Sequence, residues 1–398
     1  MSKTTPAGGL SQLPRTVWAL GLVSLLMDMS SEMIHSVLPI FLTTTLGASA
    51  AMVGLIDGIA EATAAICKVP SGYISDRIGR RKPLILFGYG LAALTKPLFA
   101  IAGGPLPVLA ARFADRVGKG VRGAARDALV ADVTPPEIRG RAYGLRQALD
   151  TVGALIGPLI AMLLLLAYAN DFRLVFWVAV IPAVASVVMV LLGVGDRKTP
   201  AGKAQFPVQF AELRQLGAAF WTIAAVGLLF TLARFSEAFL ILKAVEAGIP
   251  IALSPLVLVV MSLVYAAGAY PAGALADRYP APALLSAGLL VLIAADLLLA
   301  FGHGLPAIAA GTALWGAHMA LTQGLFAKLV AGSAPDRLRG SAFGLFNLAS
   351  GLAALAASVI AGLLWDRYGS GATFLAGAGF AALTLGGLAL ARARFRPA

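Results

Sequence analysis

Charge is what this chain has least of. Asp, Glu, Lys and Arg make up 13% of its 398 residues, about half of the roughly 25% usual in soluble domains, while 59% are apolar. That balance excludes a soluble enzyme of two domains, and so much apolar side chain excludes disorder. Cysteine is reduced to Cys67, so no intrachain disulfide can form, and its apolar setting predicts a buried thiol. Also missing are a Gly-x-x-x-x-Gly-Lys-[Ser/Thr] phosphate loop and a His-Glu-x-x-His metal helix. Nothing therefore calls for ATP, for a cofactor or for hydrolytic chemistry, and a non-enzymatic protein is expected. The net charge of +12 would suit nucleic acid in a soluble protein. In so apolar a chain it reads as loops at a membrane surface, without a nucleic-acid partner.

What is present is a series of apolar runs, each near the about 20 residues that cross a bilayer. They lack the alternation of β-barrel strands. Read between turn signals, they predict an all-α integral membrane protein of about twelve transmembrane helices. The expected spans are 16–46, 51–73, 83–104, 106–133, 139–168, 172–195, 218–246, 252–275, 281–302, 304–331, 340–365 and 370–392. Residues 1–14 are not followed by a small-residue cleavage site, so the first helix is expected to be retained. With the N-terminus inside, eighteen Lys and Arg fall on one side, against Arg173, Lys243 and Arg367 on the other. Both termini are thus expected in the cytoplasm, in a multi-pass protein of the plasma (inner) membrane. Residues 196–217, with Pro200, Pro207 and charges of both signs, form the one linker. They separate an N-terminal six-helix bundle, 1–195, from a C-terminal one, 218–398, in a chain expected to work as a monomer within the lipid bilayer.

The two groups repeat each other. Pro135-Pro136-Glu137-Ile138-Arg139-Gly140-Arg141-Ala142-Tyr143-Gly144-Leu145 recurs as Pro335-Asp336-Arg337-Leu338-Arg339-Gly340-Ser341-Ala342-Phe343-Gly344-Leu345. Gly72-Tyr73-Ile74-Ser75-Asp76-Arg77 recurs as Gly273-Ala274-Leu275-Ala276-Asp277-Arg278. Two parallel six-helix halves place a site between them near the midplane. The stretch Gly72 to Lys82, with Asp76, Arg77, Gly79, Arg80 and Arg81, resembles the signature loop after the second helix of the major facilitator superfamily. That resemblance implies two parallel six-helix halves and a gating role for these residues, with Arg126 expected to reach Asp76. Gly144, Gly153, Gly157 and Pro158 in the fifth span resemble the motif of proton-coupled exporters in that superfamily, with Ala161 where the motif has glycine. They are expected to pack against a helix of the other half, and they imply export.

Charges inside the spans are ten of each sign and crowd into the first half. Each costs several kcal/mol at mid-bilayer unless paired or hydrated. Asp28, Glu32 and His35 follow at i, i+4 and i+7 on the first helix. Glu32, His35 and Glu61 fall near one depth, with Arg116, Lys119 and Asp150 close to it. A hydrated cavity lined by the first, second, fourth and fifth helices is therefore expected. Proton coupling by Glu32, Glu61 or Asp150, modulated by Arg116, is one reading. Arg116 with Gly120 also resembles the superfamily's fourth-helix arginine motif. A second reading has Asp28, Glu32 and His35 ligate a divalent transition metal, and a third makes the charges structural pairs. Asp57, Lys119, Arg234, Glu237, His318 and Gln323 complete the candidate substrate contacts; Arg234 and Glu237 are expected to bridge along one helix, and His318 and Gln323 to line the second half's cavity.

The stretches 27–39 and 115–132 are similar to a bacterial branch of the superfamily associated with nickel or cobalt resistance. Some members of that branch end in a histidine-rich tail, whereas this chain ends Arg392-Ala393-Arg394-Phe395-Arg396-Pro397-Ala398. The expected function is proton-coupled efflux of a small polar or ionic solute by alternating access, with a divalent metal such as nickel or cobalt as the leading cargo. The alternatives are a multidrug exporter, an exporter of organic anions or metal chelates, and a structural or signalling membrane protein that transports nothing.

Overall fold

A computed structural model describes residues 13–195, 215–335 and 338–390. The predicted linker therefore lies outside the described residues except at 215–217, as do residues 1–12, Asp336, Arg337 and the last eight residues. Helix occupies all twelve predicted spans: α1 (Arg15–His35), α2 (Ala50–Ile78), α3 (Lys82–Ile101), α4 (Pro105–Val133), α5 (Arg139–Ala167), α6 (Phe172–Gly193), α7 (Ala218–Leu232), α8 (Leu256–Arg278), α9 (Ala281–Phe301), α10 (Gly304–Thr322), α11 (Arg339–Tyr368) and α12 (Ser370–Leu390). No strand occurs among the described residues. Nine of these stretches are long and apolar enough to cross a membrane. Of the other three, α4 is as long but carries eight charges, and the seventh and tenth spans are interrupted.

Three spans break, for different local reasons. Pro39 cannot donate to the carbonyl four residues back, so α1 stops at His35 and the chain continues through a π-helical turn, Phe41–Thr45. The tenth span stops at Gln323 and restarts as Leu325–Ser333 after Gly324, whose φ of +76° suits glycine. The seventh span was expected to run unbroken. Instead α7 ends at Leu232 and helix restarts as Ala238–Glu246. The Ser236 hydroxyl accepts from the amide of Ala238 at 3.1 Å, a local cap that competes with helix continuation.

Each half has the same neighbour map. α1 packs on α5 and α6, α2 on α4, and α3 on α4 and α6; in the second half α7 packs on α11 and α12, α8 on α10, and α9 on α10 and α12. The repeat seen in the motifs is thus a repeat of packing. Across the halves α2 runs along α11 and α5 meets α8. The loop face holding Gly79 to Lys82 is called the basic face below. α2 and α11 touch at their far ends: a side chain at Gly58 would collide with Leu355, and one at Gly362 with the backbone of Ala50 and Ala51. There Asp366 accepts from the amides of Ala50 and Ala51, 2.9 Å each, so an α11 carboxylate caps α2. Toward the basic face the two helices diverge and leave Ile74 and Ile78 exposed. The halves are latched at the opposite face and parted at the basic one.

Cys67 is only partly buried, a correction to the expected buried thiol, because it lies where α2 passes Gly120 of α4. The fifth-span motif is also corrected. Gly153 and Gly157 let α5 approach the backbone of α1 at Leu25 and Met29, within the same half, while Gly144 faces open space. Close α1–α5 packing absorbs the glycines that were expected to meet the other half.

The latch yields a prediction. Asp366→Ala removes two charge-assisted hydrogen bonds, each worth about 1.5–3 kcal/mol at most, and releases α2 from α11. With Cys67→Ser as background and a cysteine placed at Ala354 in the cavity wall, labelling by an impermeant thiol reagent from the opposite face is expected to rise several-fold. An unchanged labelling rate would show that Asp366 does not hold the halves together.

Candidate functional site

Between the halves lies one cavity in two joined chambers. The inner chamber, about 420 Å³, lies at the break in the seventh span. Its N-terminal wall holds Glu32, His35, Asp57, Glu61, Arg116 and Lys119; Phe230, Arg234, Phe235, Ser236, Glu237 and Trp315 face them. The outer chamber, about 620 Å³, continues toward the basic face past Asp28, Lys68, Arg126, Gln147, Asp150, Tyr265 and Asn347. Glu32, Glu61, Lys119 and Glu237 line both chambers and form the neck.

A chain of polar contacts runs from the neck to the junction of the halves. Glu32 Oε2 lies 3.3 Å from His35 Nδ1, and His35 Nε2 lies 3.8 Å from Asp57 Oδ2. Arg112 NH2 donates to Asp57 Oδ1 at 3.2 Å. From the other half, the Ser236 hydroxyl donates to Asp57 Oδ2 at 2.7 Å, and the Ser236 amide donates to the Ser358 hydroxyl at 3.2 Å. Asp57 is therefore shared by both halves. Its carboxylate is buried, and one ion pair with hydrogen bonds to the remaining lone pairs is what such burial demands.

Behind the wall a second network fixes α3, α4 and α1. Lys96 Nζ donates to Asp115 at 2.9 Å and to Ser31 at 3.0 Å, and Arg116 Nε lies 3.2 Å from Asp115 Oδ2. Arg116 also reaches Glu61 at 3.5 Å, but the Glu61 side chain stays half exposed to the cavity. Nearer the basic face Arg126 donates to Ser24 at 2.8 Å, and Arg146 donates to Asp150 at 2.7 Å.

The candidate residues thus fall into three groups. Glu32, His35, Asp57, Glu61, Arg116, Lys119, Arg234 and Glu237 share the inner chamber, while Asp28, Arg126 and Asp150 line the outer one. His318 and Gln323 belong to neither. His318 is buried with Nδ1 2.9 Å from the Gly288 carbonyl oxygen, and its ring lies against Phe230. Gln323 sits exposed at the end of α10. Both are corrections, caused by the rotation of α10 and its break. Arg234 and Glu237 do not bridge, because the helix that would have aligned them ends at Leu232 and both lie in the break; Arg234 lies over the Phe230 ring at 5.7 Å.

Two further readings are corrected. Arg126 was expected to gate with Asp76, but Asp76 is taken by Arg81 at 2.6 Å, which also reaches Asp132 at 3.2 Å and Ser75 at 2.7 Å. Burial opposes the charge on Arg81, yet these two carboxylates outweigh it and raise its pKa. Gly79, at φ +65°, ends α2 so that Arg81 can fold back; Gly72 passes Ala124 of α4, Arg77 donates to Tyr73, and Arg80 is exposed. The loop therefore clamps α2 to α3 and α4 within its own half. As for a metal, no group of three or more His, Cys, Asp or Glu side chains is arranged to hold one among the described residues. His35 is engaged by Glu32 and Asp57, and Asp28 faces the other chamber.

Residues 20–254 and 238–398 each match the profile of the Major Facilitator Superfamily. The chain belongs to that superfamily. An uncharacterized MFS-type transporter of Methanocaldococcus jannaschii is 32% identical over 365 residues, 89% of each chain. An uncharacterized protein of Mycobacterium tuberculosis is 30% identical, covering 88% of this chain and 87% of its own. A multidrug resistance protein, MdtH of Proteus mirabilis, is 37% identical over 133 residues, 33% of this chain and 32% of its own. Among solved structures, the nucleoside transporter NupG superposes with a TM-score of 0.81 at 13% identity, covering 96% of this chain and 100% of its own. At that identity the likeness speaks for the fold. The protein is a multi-pass membrane transporter.

Sequence reasoning missed Arg112, Lys96, Ser236, Phe235 and Trp315 as site-forming residues. Depth along the helices could have found Arg112 and Lys96. The aromatic residues read like any lipid-facing apolar side chain.

The buried network gives a stability test. Asp115→Asn leaves Lys96 and Arg116 without their common counter-charge and is expected to destabilise the fold by about 3–5 kcal/mol. In detergent this appears as a clearly lower unfolding midpoint. Lys96→Met combined with Asp115→Leu is expected to recover most of the loss, since no buried charge of that pair then remains. Equal instability of the single and double variants would refute the pairing.

Proposed function

We propose that this transporter exports a small polar or ionic solute from the cytoplasm in exchange for protons, by alternating access. The basic face is the cytoplasmic one, as its lysines and arginines require, both termini lie on that side, and the halves 1–195 and 218–398 rock about the cavity. The observation that carries the coupling is the neck: Glu32 and Glu61 face both chambers, and Glu32 stands at the head of the contacts leading through His35 to Asp57 and Ser236. A proton on Glu32 weakens its attraction for His35. His35 then turns toward Asp57 and competes with Ser236 for Oδ2, which loosens the junction between the halves. A cargo in the inner chamber acts on the same neck through its charged lining, Lys119 included. Proton and cargo therefore favour different arrangements of one element, which is what coupling requires. Export is supported by the fifth-span glycine motif and by the segment shared with a multidrug resistance protein.

A free divalent metal fits this cavity poorly, because Glu32, Asp57 and Glu61 are already engaged by His35, Arg112 and Arg116 and the neck adds the cation Lys119. An organic ion fits it better.

Glu32→Gln is expected to abolish coupling while leaving the protein folded in the membrane. In energised inverted vesicles loaded with a pH-sensitive dye, organic acids, amines, antibiotics and nickel or cobalt salts are added one at a time. The wild type should dissipate the proton gradient with its cargo, and Glu32→Gln should not. Equal dissipation by both proteins would remove Glu32 from the coupling step. Dissipation by nickel alone would restore the metal as cargo.

A further inference from the structure

The carboxylates and cations of the inner chamber are not equally satisfied. Three of its four carboxylates are engaged: Glu32 by His35, Asp57 by Arg112 and Ser236, and Glu61 by Arg116. Two of its cations are not. Among the described residues neither Arg234 nor Lys119 makes an ion pair, and Arg234 Nε is buried without a hydrogen-bond partner. They belong to different halves and face one chamber. Beside Arg234 the helix Ala238–Glu246 begins, and because Phe235, Ser236 and Glu237 line the chamber, the positive end of its backbone dipole is turned there.

The wall around Arg234 is aromatic. Its guanidinium lies over Phe230, and Phe235 packs against Trp315 with ring centroids 5.6 Å apart. A planar guanidinium with free N–H groups recognises a carboxylate through two parallel hydrogen bonds, and flat rings accept a flat apolar body. A chamber of about 420 Å³ lies within the usual range for small-molecule sites.

The geometry points to an aromatic organic carboxylate as the cargo, its carboxylate forked by Arg234 and met from the opposite half by Lys119, its ring against Phe230, Phe235 and Trp315. This rests on the transport reading above and names the substrate class of the same cavity. Glu237, the one carboxylate of the chamber without an ion pair among the described residues, stands three residues after Arg234 and admits a hydroxyl or amine on the cargo while opposing a second acid. A cargo held by both halves draws their walls together, so its binding alone biases the rocking. A cation without an acid group leaves both Arg234 and Lys119 without a counter-ion and finds only Glu237 unpaired, so it is disfavoured.

The test is binding to the purified protein in detergent, without any gradient, using benzoate, benzamide and benzylamine as probes of one size and three charge states. Benzoate is expected to raise the unfolding midpoint and quench tryptophan emission; benzamide and benzylamine should do neither. Arg234→Gln should lose benzoate binding and Lys119→Gln should weaken it at least about tenfold, the scale of one charge-assisted hydrogen bond. Arg234→Lys keeps the charge but not the fork and should fall between. Trp315→Phe should remove most of the optical signal and keep the thermal one. Benzylamine binding as tightly as benzoate, unchanged affinity in Arg234→Gln, or no benzoate binding up to about 10 mM overturns the assignment. Should Arg234→Gln fail to fold, the three probes on the wild type still decide. Loss of this assignment leaves the proton-exchange assay on Glu32→Gln standing, whereas failure of that assay leaves the binding result intact.

Discussion

Asp57 is the point on which the two halves agree. Its carboxylate is buried in α2, and a buried charge without a partner costs several kcal/mol. Arg112 of α4 supplies the counter-charge, which ties α2 into the N-terminal half. Ser236, from the break in the seventh span, supplies the remaining hydrogen bond from the other half. One group therefore meets its solvation demand only when the halves are together at this level. Separation costs Asp57 a hydrogen bond, and the cost depends on what His35 is doing. The unwound segment 233–237 is needed for this, since a continuous helix would have spent the Ser236 amide on its own backbone rather than on Ser358.

The spans, the repeat and the basic face were legible in the chain because each rests on a sum over many residues. Apolar runs of membrane length, two matching loop motifs and the expected grouping of lysines and arginines on one side survive any single exception. The level of the cavity was legible too, since depth follows from rise per residue and needs no knowledge of rotation. Rotation is where the reading failed. Asp28 sits one turn from Glu32 yet opens into the outer chamber, while His35 turns inward to Asp57, and Arg126 points to Ser24 and not to the Asp76 loop. These choices depend on how α1, α2 and α4 meet in space, and the glycines that set the α1–α5 distance give no direction by themselves.

The break in the seventh span was hidden for another reason. Residues 233–237 contain neither proline nor glycine, so no strong punctuation marks the site. What breaks the helix is a set of better offers: a hydroxyl cap on Ala238, a carboxylate across the interface and a serine on α11. All three exist only after the halves have docked. Local propensity is overridden by contacts distant in sequence, and the five residues Ala233 to Glu237 cannot announce them.

The two halves carry the same fold and opposite chemistries. The N-terminal half holds most of the intramembrane charge, and most of it is paired, so its helices are held in fixed rotations by mutual ion pairs. The C-terminal half is almost uncharged and keeps its shape by aromatic packing around Trp315, Phe235 and Phe374. A rigid polar wall facing a rigid aromatic wall suits a rocking motion, because neither needs to repack internally when the gap between them changes. What does change is the set of groups bonded across the gap: Ser236 with Asp57 near the middle, and Asp366 with the start of α2 at the far end. The two cross-links differ in exposure: Asp57 is buried, whereas Asp366 lies at an exposed rim. Under the alternating access proposed above, water reaches the rim contact before the buried one, and Asp57 retains only Arg112 and His35 of its own half once Ser236 withdraws. The buried cross-link is therefore the costlier of the two to break, and the rim is the place where opening begins.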